Sequence, residues 1–480
     1  MQRQYLPAST LSGLLGSWAE DSGPAYRVLA DRLRLLIADG RIIPGSRLPS
    51  ERELTEALGV SRTTVASAYR ELRDSGYLMS RRGSGSVTAL PSKVAPELGR
   101  HHAPGIDTDG LYDFTCAAPS AVPGISTAVA EAAGDLPVHL ATPGYHPQGL
   151  PVLRSEIAAA YAERGLPTTP DQIIVTAGAL AATSIAIRAI TQFGDRVLTE
   201  SPTHPNSVDA IRRSGCRVVA VPMSPGGWDL PLLEATIRQT APRAAWLVVD
   251  FQNPTGWLMP AADRQRLAIA FARSRTTAIV DETLFELSLD GQEMPPPFAS
   301  YDPDGVITIG SVSKSFWGGL RIGWMRVPEA LVARILDARA SMDLGAPVLE
   351  QLVVAGLLRQ RATLLPERRL ELARRRDALA SAVASELPSW RFRVPGGGLS
   401  LWCELPEPVG SSLVGVAQRN GVLLVSGSRF SPDGGLESFI RLPFTLDVDA
   451  LRDGVGQLAA SYASLTTGGA PARRTAAMIA

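Results

Sequence analysis

Lysine is nearly absent from this chain: of 47 basic residues only Lys93 and Lys314 are lysines, and the other 45 are arginines. A guanidinium stays protonated and cannot form an imine, whereas a primary amine can, so a lysine kept inside a structured segment marks a need for an amine. Lys93 sits in a Pro/Ser-rich stretch and reads as incidental; Lys314 lies in a patterned segment and is the candidate. Cysteine is scarce as well. Cys116, Cys216 and Cys403 are far apart and in no CxxC spacing, which argues against a disulfide framework or a zinc site, and no metal is expected. No stretch approaches the roughly 18 uninterrupted apolar residues of a membrane span. The opening MQRQYLPAST has no basic-then-apolar leader pattern, so a cytoplasmic chain with no membrane partner is expected. Net charge is missing too, at zero overall, and global electrostatics announces no nucleic-acid partner.

What is present is an ordinary globular composition, 45% hydrophobic and 20% charged over 480 residues, a length that predicts two or three domains. Residues 24–88 read as one compact unit. Val28, Leu29, Leu33, Leu36 and Ile37 recur at helical spacing between Ala25 and Asp39. Ser50 precedes Glu53 at capping-box spacing and opens a second helix to Leu58. Gly59 and Val60 make a short turn, and Ser61 caps a third helix through Val65, Ala68, Tyr69 and Leu72. Residues 76–87 predict two short strands with a glycine-tipped turn, a wing. The segment also hides a charge bias, since between 41 and 85 eight arginines face five acids.

Residues 89–110 carry prolines and glycines without periodicity and predict a linker; 466–480 predict a frayed tail. Between them, over 111–465, apolar runs of strand length alternate with helical patterns. Predicted strands are 173–176, 196–199, 217–221, 245–250, 277–281, 306–309 and 321–326, and predicted helices include 181–192 and 261–273. That alternation argues for a helix-covered, mostly parallel sheet. After Pro328, longer helices and short strands near 391–394, 399–404 and 438–442 predict a smaller α+β subdomain.

The string RLPSERELTEALGVSRTTVASAYRELRDSGYLMSRRGSGSVT resembles the GntR family of winged-helix regulators. A short turn between two helices presents the start of the second one, where Ser61, Arg62, Thr63 and Thr64 are placed to reach base edges and phosphates. The resemblance adds Arg52 on the supporting helix as a backbone or groove contact, and Gly83 and Gly85 as the close-approach positions of the wing. Double-stranded promoter DNA is the implied partner.

The segment SVSKSFWGGLRIG around Lys314 resembles the lysine segment of fold-type I PLP enzymes, and implies that Lys314 is the Schiff-base residue for pyridoxal 5′-phosphate. Ser311, Ser313 and Arg321 then suit the phosphate, as do the backbone amides of Gly178, Ala179 and Leu180 at a helix start. Asp281 ends the stretch TTAIVD 33 residues before the lysine and is implied to pair with the ring nitrogen. His204 falls where an aromatic stacks on the ring, Asn253 where an amide meets the ring hydroxyl, and Arg441 where a guanidinium clamps a carboxylate. Tyr145 is implied to reach the phosphate of a partner subunit, hence a homodimer. Singly, each has a plain structural reading; the ordered set spread over some three hundred residues carries the inference. One position departs. Thr283 stands near where enzymes of this fold carry a tyrosine, and its shorter side chain places efficient transamination in doubt more than cofactor binding.

The fusion as a whole resembles the MocR subfamily of GntR regulators. It implies a multidomain chain: an N-terminal α+β winged helix-turn-helix, then an α/β fold-type I PLP-dependent transferase-like domain with a smaller α+β C-terminal subdomain. The implied function is a PLP-dependent transcriptional regulator that senses PLP or a small amino effector. Two other readings stay open: a working aminotransferase with an accessory DNA-binding-like unit, and a DNA-binding protein whose large domain only dimerises.

Overall fold

Helical spacing before residue 90 and mixed spacing after 110 become two units in the computed structural model, which describes residues 5–16, 18, 23–38, 41, 42, 45–81, 85–89 and 111–467. The smaller unit holds the described residues before 90 together with Ala121–Asp135; the larger holds 111–120 and the described residues from Leu136 on. Gly83, Lys93, nearly all of the expected linker and the tail after Thr467 lie outside the described residues.

The smaller unit is built from α1 (Ala8–Leu15), α2 (Ala25–Ala38), α3 (Glu51–Leu58) and α4 (Arg62–Asp74), then an antiparallel ribbon of β1 (Leu78–Arg81) and β2 (Gly85–Thr88). The capping box forms. Ser50 N donates to Glu53 Oε2 at 2.7 Å, and Glu53 N donates to Ser50 Oγ at 3.3 Å. Gly59 stops α3 in the left-handed region at φ +68°, a conformation that favours glycine. Leu29, Leu33, Leu54, Val65, Leu72 and Leu78 are buried in one core. Leu11 and Leu15 of α1 join it; the sequence reading does not anticipate this helix, because eight residues show too little of a helical period. A further helix, α5 (Ile125–Asp135), clusters with this unit and lies against α2.

The larger unit opens with β3 (Tyr112–Asp113) and then alternates: α6 (Pro151–Glu163), β4 (Ile173–Thr176), α7 (Ala179–Ile190), β5 (Arg196–Ser201), α8 (Pro205–Arg213), β6 (Arg217–Pro222), α9 (Leu230–Thr240), β7 (Ala244–Val248), α10 (Ala261–Ser274), β8 (Thr277–Asp281), β9 (Val306–Ser311) and β10 (Gly323–Arg326). β4 to β10 form one sheet in the order β4-β10-β9-β8-β7-β5-β6. It is parallel except for β10, which runs antiparallel to β4 and β9. β10 starts two residues later than expected, because Arg321 sits at φ +52°, off the strand region. Ile185, Ile187, Val197, Trp246, Ile279 and Ile307 pack under the sheet.

The chain continues through α11 (Glu329–Ala340), α12 (Val348–Arg359), α13 (Arg361–Glu386), β11 (Arg391–Phe392), β12 (Ser400–Glu404), α14 (Gly410–Arg419), β13 (Val422–Leu423), β14 (Val425–Ser426), β15 (Phe439–Pro443) and α15 (Val448–Thr467). The expected smaller subdomain is an antiparallel sheet in the order β11-β12-β15-β14. Leu372, Leu379 and Val383 of α13 pack with Leu401, Leu442 and Leu458 in a second core.

One ion pair is sealed inside the larger unit. Arg264 Nη2 donates to Asp250 Oδ1 at 2.5 Å, with both side chains fully buried. Arg264 Nε also donates to Met259 O at 2.9 Å. Removing the carboxylate strands a buried cation, so Asp250→Ala is expected to lower unfolding free energy by about 3–5 kcal/mol. By contrast, Glu156→Ala breaks the more exposed pair with Arg359 and is expected to shift stability by less than about 1 kcal/mol. Chemical denaturation of the full chain reads both; equal effects would contradict this account of the buried pair.

Candidate cofactor pocket and DNA-reading helix

Parallel strands aligned in one direction bring their C-terminal ends to one edge of the sheet, where α/β proteins form their crevices. Asp281 ends β8, Ser311 ends β9, Gly178 follows β4 and His204 follows β5. There a cavity of about 450 Å³ is lined by Ala179, Leu180, His204, Asn253, Asp281, Thr283, Ser311, Ser313, Lys314, Arg321 and Arg441. Eleven of the sequence candidates therefore share one cavity, although Arg441 arrives from the smaller subdomain on β15.

Lys314 Nζ donates to Ala117 O at 2.8 Å. Burial holds its ammonium below the ordinary lysine range; the Cys116 thiol and the Asp281 carboxylate oppose this, while Arg441 and Arg321 add to it. The neutral amine is thereby favoured. Burial pushes the Asp281 carboxyl up, opposed first by hydrogen bonds from Thr283, whose N–H reaches Asp281 Oδ1 at 2.9 Å. His204 Nδ1 pairs with Ser207 Oγ at 3.0 Å, and burial, with Lys314 and Arg441 nearby, holds its imidazole down at about 3. The ring is neutral at physiological pH.

Arg441 is 6% exposed. Its Nη1 donates to Asn253 Oδ1 at 3.3 Å and its Nη2 to Thr115 O, while Nε has no hydrogen-bond partner among the described residues. No carboxylate forms an ion pair with it among the described residues, and burial lowers it to about 10, opposed by Cys116 and Asp113. A buried guanidinium without a counter-charge is costly unless a ligand supplies one.

At the other end of the cavity, Gly178 takes φ +99° and immediately precedes α7. A Cβ there would come within 2.8 Å of Arg321 Nη2, and the positive φ itself favours glycine. Ser311 Oγ and Ser313 Oγ are 2.9 Å apart. Helix-start amides, two hydroxyls and an arginine are the donor set a phosphate requires. Together with an amine whose charge burial disfavours, a buried carboxylate in no lysine or arginine ion pair among the described residues and a neutral flat ring, these residues fit pyridoxal phosphate.

Tyr145 stands apart: it is 67% exposed and does not line its own chain's cavity. The sequence reading also missed part of the wall. Thr115, Cys116 and Ala117 cross the pocket, and Phe430 lies 4.9 Å beneath the Arg441 guanidinium. FTCAAPS has neither periodicity nor a spacing tied to Lys314, so only the fold brings it there.

In the smaller unit, Ser61 Oγ accepts from Thr64 N at 3.1 Å and lies within 2.8 Å of both the Thr63 and Thr64 hydroxyls. Arg62 and Thr63 are exposed at the start of α4. Arg52 is also exposed and pairs along its own helix with Glu56 at 3.2 Å. Gly85 opens β2 at φ +76°, where a Cβ would meet Arg47 Nε at 3.1 Å.

Three substitutions test the pocket. Lys314→Ala is expected to leave no PLP fixed to the chain by borohydride. Asp281→Ala, which removes a charge-assisted contact, is expected to weaken PLP retention by roughly tenfold or more, and His204→Ala by less. Unchanged retention in Asp281→Ala would contradict the assignment of the ring nitrogen.

Comparison with known proteins finds relatives of both parts of the chain. Residues 124–458 match the aminotransferase class I and II family, and residues 25–87 match the bacterial regulatory proteins of the gntR family. The chain is 30% identical over 442 residues to the uncharacterized HTH-type transcriptional regulator YdcR of Escherichia coli, covering 87% of this chain and 94% of that protein. It is also 30% identical over 452 residues to the pyridoxine biosynthesis regulator PdxR of Corynebacterium glutamicum, covering 88% and 93%. The larger unit resembles an α-aminoadipate aminotransferase of Thermus thermophilus solved with a phosphopyridoxyl-leucine adduct, with a TM-score of 0.69 and 28% identity over 75% of this chain and 94% of that one. The chain therefore belongs to the GntR-family transcriptional regulators of the MocR type, in which a DNA-binding head is joined to an aminotransferase-like body whose cofactor is pyridoxal phosphate.

Proposed function

We propose that Arg62 and its neighbours on α4 read promoter DNA while the body pocket senses PLP or an amino compound that carries a carboxylate. The observation that carries the sensing half is Arg441, a buried cation with a free Nε and no carboxylate partner among the described residues. An amino acid brings both the carboxylate that Arg441 lacks and an amine to compete with Lys314. One relative is named for pyridoxine biosynthesis, which favours PLP itself among the candidate effectors.

When bound, PLP supplies an aldehyde carbon that primary amines attack and a ring that draws electrons. Lys314, its charged form disfavoured by burial, is the amine of this chain that would hold it. Asp281 serves the ring nitrogen, Asn253 the ring hydroxyl, and His204 offers its flat face. Ser311, Ser313, Arg321 and the amides of Gly178–Leu180 take the phosphate. Thr283 lacks the reach of a phenol, so proton handling near the ring hydroxyl is poor and recognition is favoured over turnover. Thr115 and Ala117 carry the carbonyls to which Arg441 and Lys314 donate. Any ligand that engages either cation changes what this segment is bound to, and the segment follows closely on residues 89–110.

The working assembly is a homodimer. Tyr145 is exposed, as are the apolar side chains of Val138, Leu140 and Leu344, and Gly345 packs on the carbonyl of His146, the residue after Tyr145. A second copy placed over this surface would receive Tyr145 at its phosphate end.

Promoter-fragment gel shifts test the division of labour. Arg62→Ala is expected to lose about 1–3 kcal/mol of discrimination per half-site, roughly tenfold or more, with the PLP spectrum unchanged. Arg441→Met is expected to retain PLP and DNA binding and to weaken the response to amino acids at least as much. Wild-type protein that shows no preference for its own upstream region, yet turns over amino acids at ordinary enzymatic rates, would sink the regulator reading in favour of the aminotransferase.

A further inference from the structure

At the opposite edge of the large sheet from the pocket, four adjacent strands have an arginine at their first residue or within two residues before it. Arg217 and Arg196 start β6 and β5 and face each other in register. Arg243 immediately precedes β7, and its N–H donates to Arg196 O at 2.9 Å. Arg275 lies two residues ahead of β8, where Thr277 N donates to Arg243 O. The backbone ladder thus locks four cations into one row, and all four line a single open cavity of about 440 Å³. All four are exposed.

The row is also without acid partners. Some exposed arginines of the body are matched by acids, as in Arg266–Glu234, Arg359–Glu156 and Arg429–Asp209. None of these four is in an ion pair among the described residues, and the one acid lining the cavity, Asp195, accepts from Gln192 N instead. Two of the four have a structural duty. Arg196 Nη1 donates to Thr240 O and Arg243 Nε to Ile190 O, both at 3.1 Å, so they satisfy carbonyls at the C-terminal ends of α9 and α7. Arg217 and Arg275 have no such side-chain bond among the described residues. The positive surface extends further, since Arg238 and Arg273 line the neighbouring cavity, which shares Ser274.

We infer that this row is a second DNA contact: a sequence-independent cradle on the body for the phosphate backbone of the duplex. It rests on the regulator reading above. Four strands at about 4.8 Å spacing span roughly 14 Å, and one DNA strand presents a phosphate about every 3.4 Å of helix axis, so the row matches about four successive phosphates. Exposed arginines hold a single small anion weakly in water, whereas along a duplex each neutralised phosphate releases counterions and the contributions add. The planar guanidinium fork suits phosphate oxygens. An extended polyanion therefore fits the row better than a compact one.

The test uses the full chain with PLP bound, and two duplexes: a promoter fragment trimmed to the segment the head protects, and the same fragment extended by two helical turns on each side. Arg217→Gln with Arg275→Gln removes the two cations without structural duties. On the extended duplex the double variant is expected to flatten the slope of log affinity against log salt by about 2 units. On the trimmed duplex it is expected to bind like wild type, and its PLP absorbance should be unchanged. An unchanged slope on the extended duplex would overturn the proposal, as would an equal loss on both duplexes. So would a small-anion site, seen as inorganic phosphate raising the melting temperature of wild type but not of the variant while the slopes agree. Failure of the regulator reading itself looks different: Arg62→Ala would leave sequence preference unchanged whatever the slopes do.

Discussion

A guanidinium buried without a counter-charge is the constraint on which the body of this protein turns. Arg441 is held on β15 with two of its nitrogens engaged by Thr115 O and Asn253 Oδ1 and the third unpartnered. Lys314 shares the cavity, its charge disfavoured by burial. Two basic groups in a low-dielectric cleft repel one another and both gain from an anion. Asp281, the acid that lines this cavity, is itself pushed toward its neutral form by burial. Among the described residues such a site is left unsatisfied. In the function proposed, PLP would answer at the amine, the carboxylate and the phosphate cradle, and a carboxylate-bearing effector at Arg441.

Much of this was legible in the sequence, for identifiable reasons. In a chain that writes 45 of 47 basic residues as arginine, Lys314 declared itself by chemistry alone. β4 and β8 coincide with the expected 173–176 and 277–281 because turn residues bound them sharply. The capping box at Ser50 and the cap at Ser61 are local signals, and both formed. Features that depend on long-range packing were not legible. The 115–117 segment reaches Lys314 across almost two hundred residues through backbone carbonyls, which carry no side-chain signature. The early start predicted for β10 ignored the left-handed backbone at Arg321, which that residue needs to lie against Gly178. The arginine row is invisible in a chain full of arginine until strand order places β6, β5, β7 and β8 side by side.

The same fold serves enzymes, and what separates a sensor from a catalyst here is small. The cavity holds Lys314, Asp281 and Arg441, the residues proposed for the amine, the ring nitrogen and the carboxylate, with Thr283 in place of the longer reach of a tyrosine hydroxyl. Binding energy that an enzyme reserves for its transition state is then available to shift a conformational equilibrium. The head supplies the readout: a capped helix that presents Arg62 to solvent. Coupling requires that the ligand bind two arrangements of the protein with different strength, and a ligand indifferent to the two would shift nothing.

That coupling is reciprocal by thermodynamic necessity, which makes it directly measurable. The affinity of the full chain for PLP, or for an amino acid in the PLP-loaded protein, is determined with and without saturating promoter DNA, alongside promoter affinity with and without the same ligand. The account predicts that at least one of these ligands changes promoter affinity by some factor and that promoter DNA changes the affinity for that ligand by the same factor. Promoter binding that is identical with and without every ligand, together with ligand affinities indifferent to DNA, would contradict it.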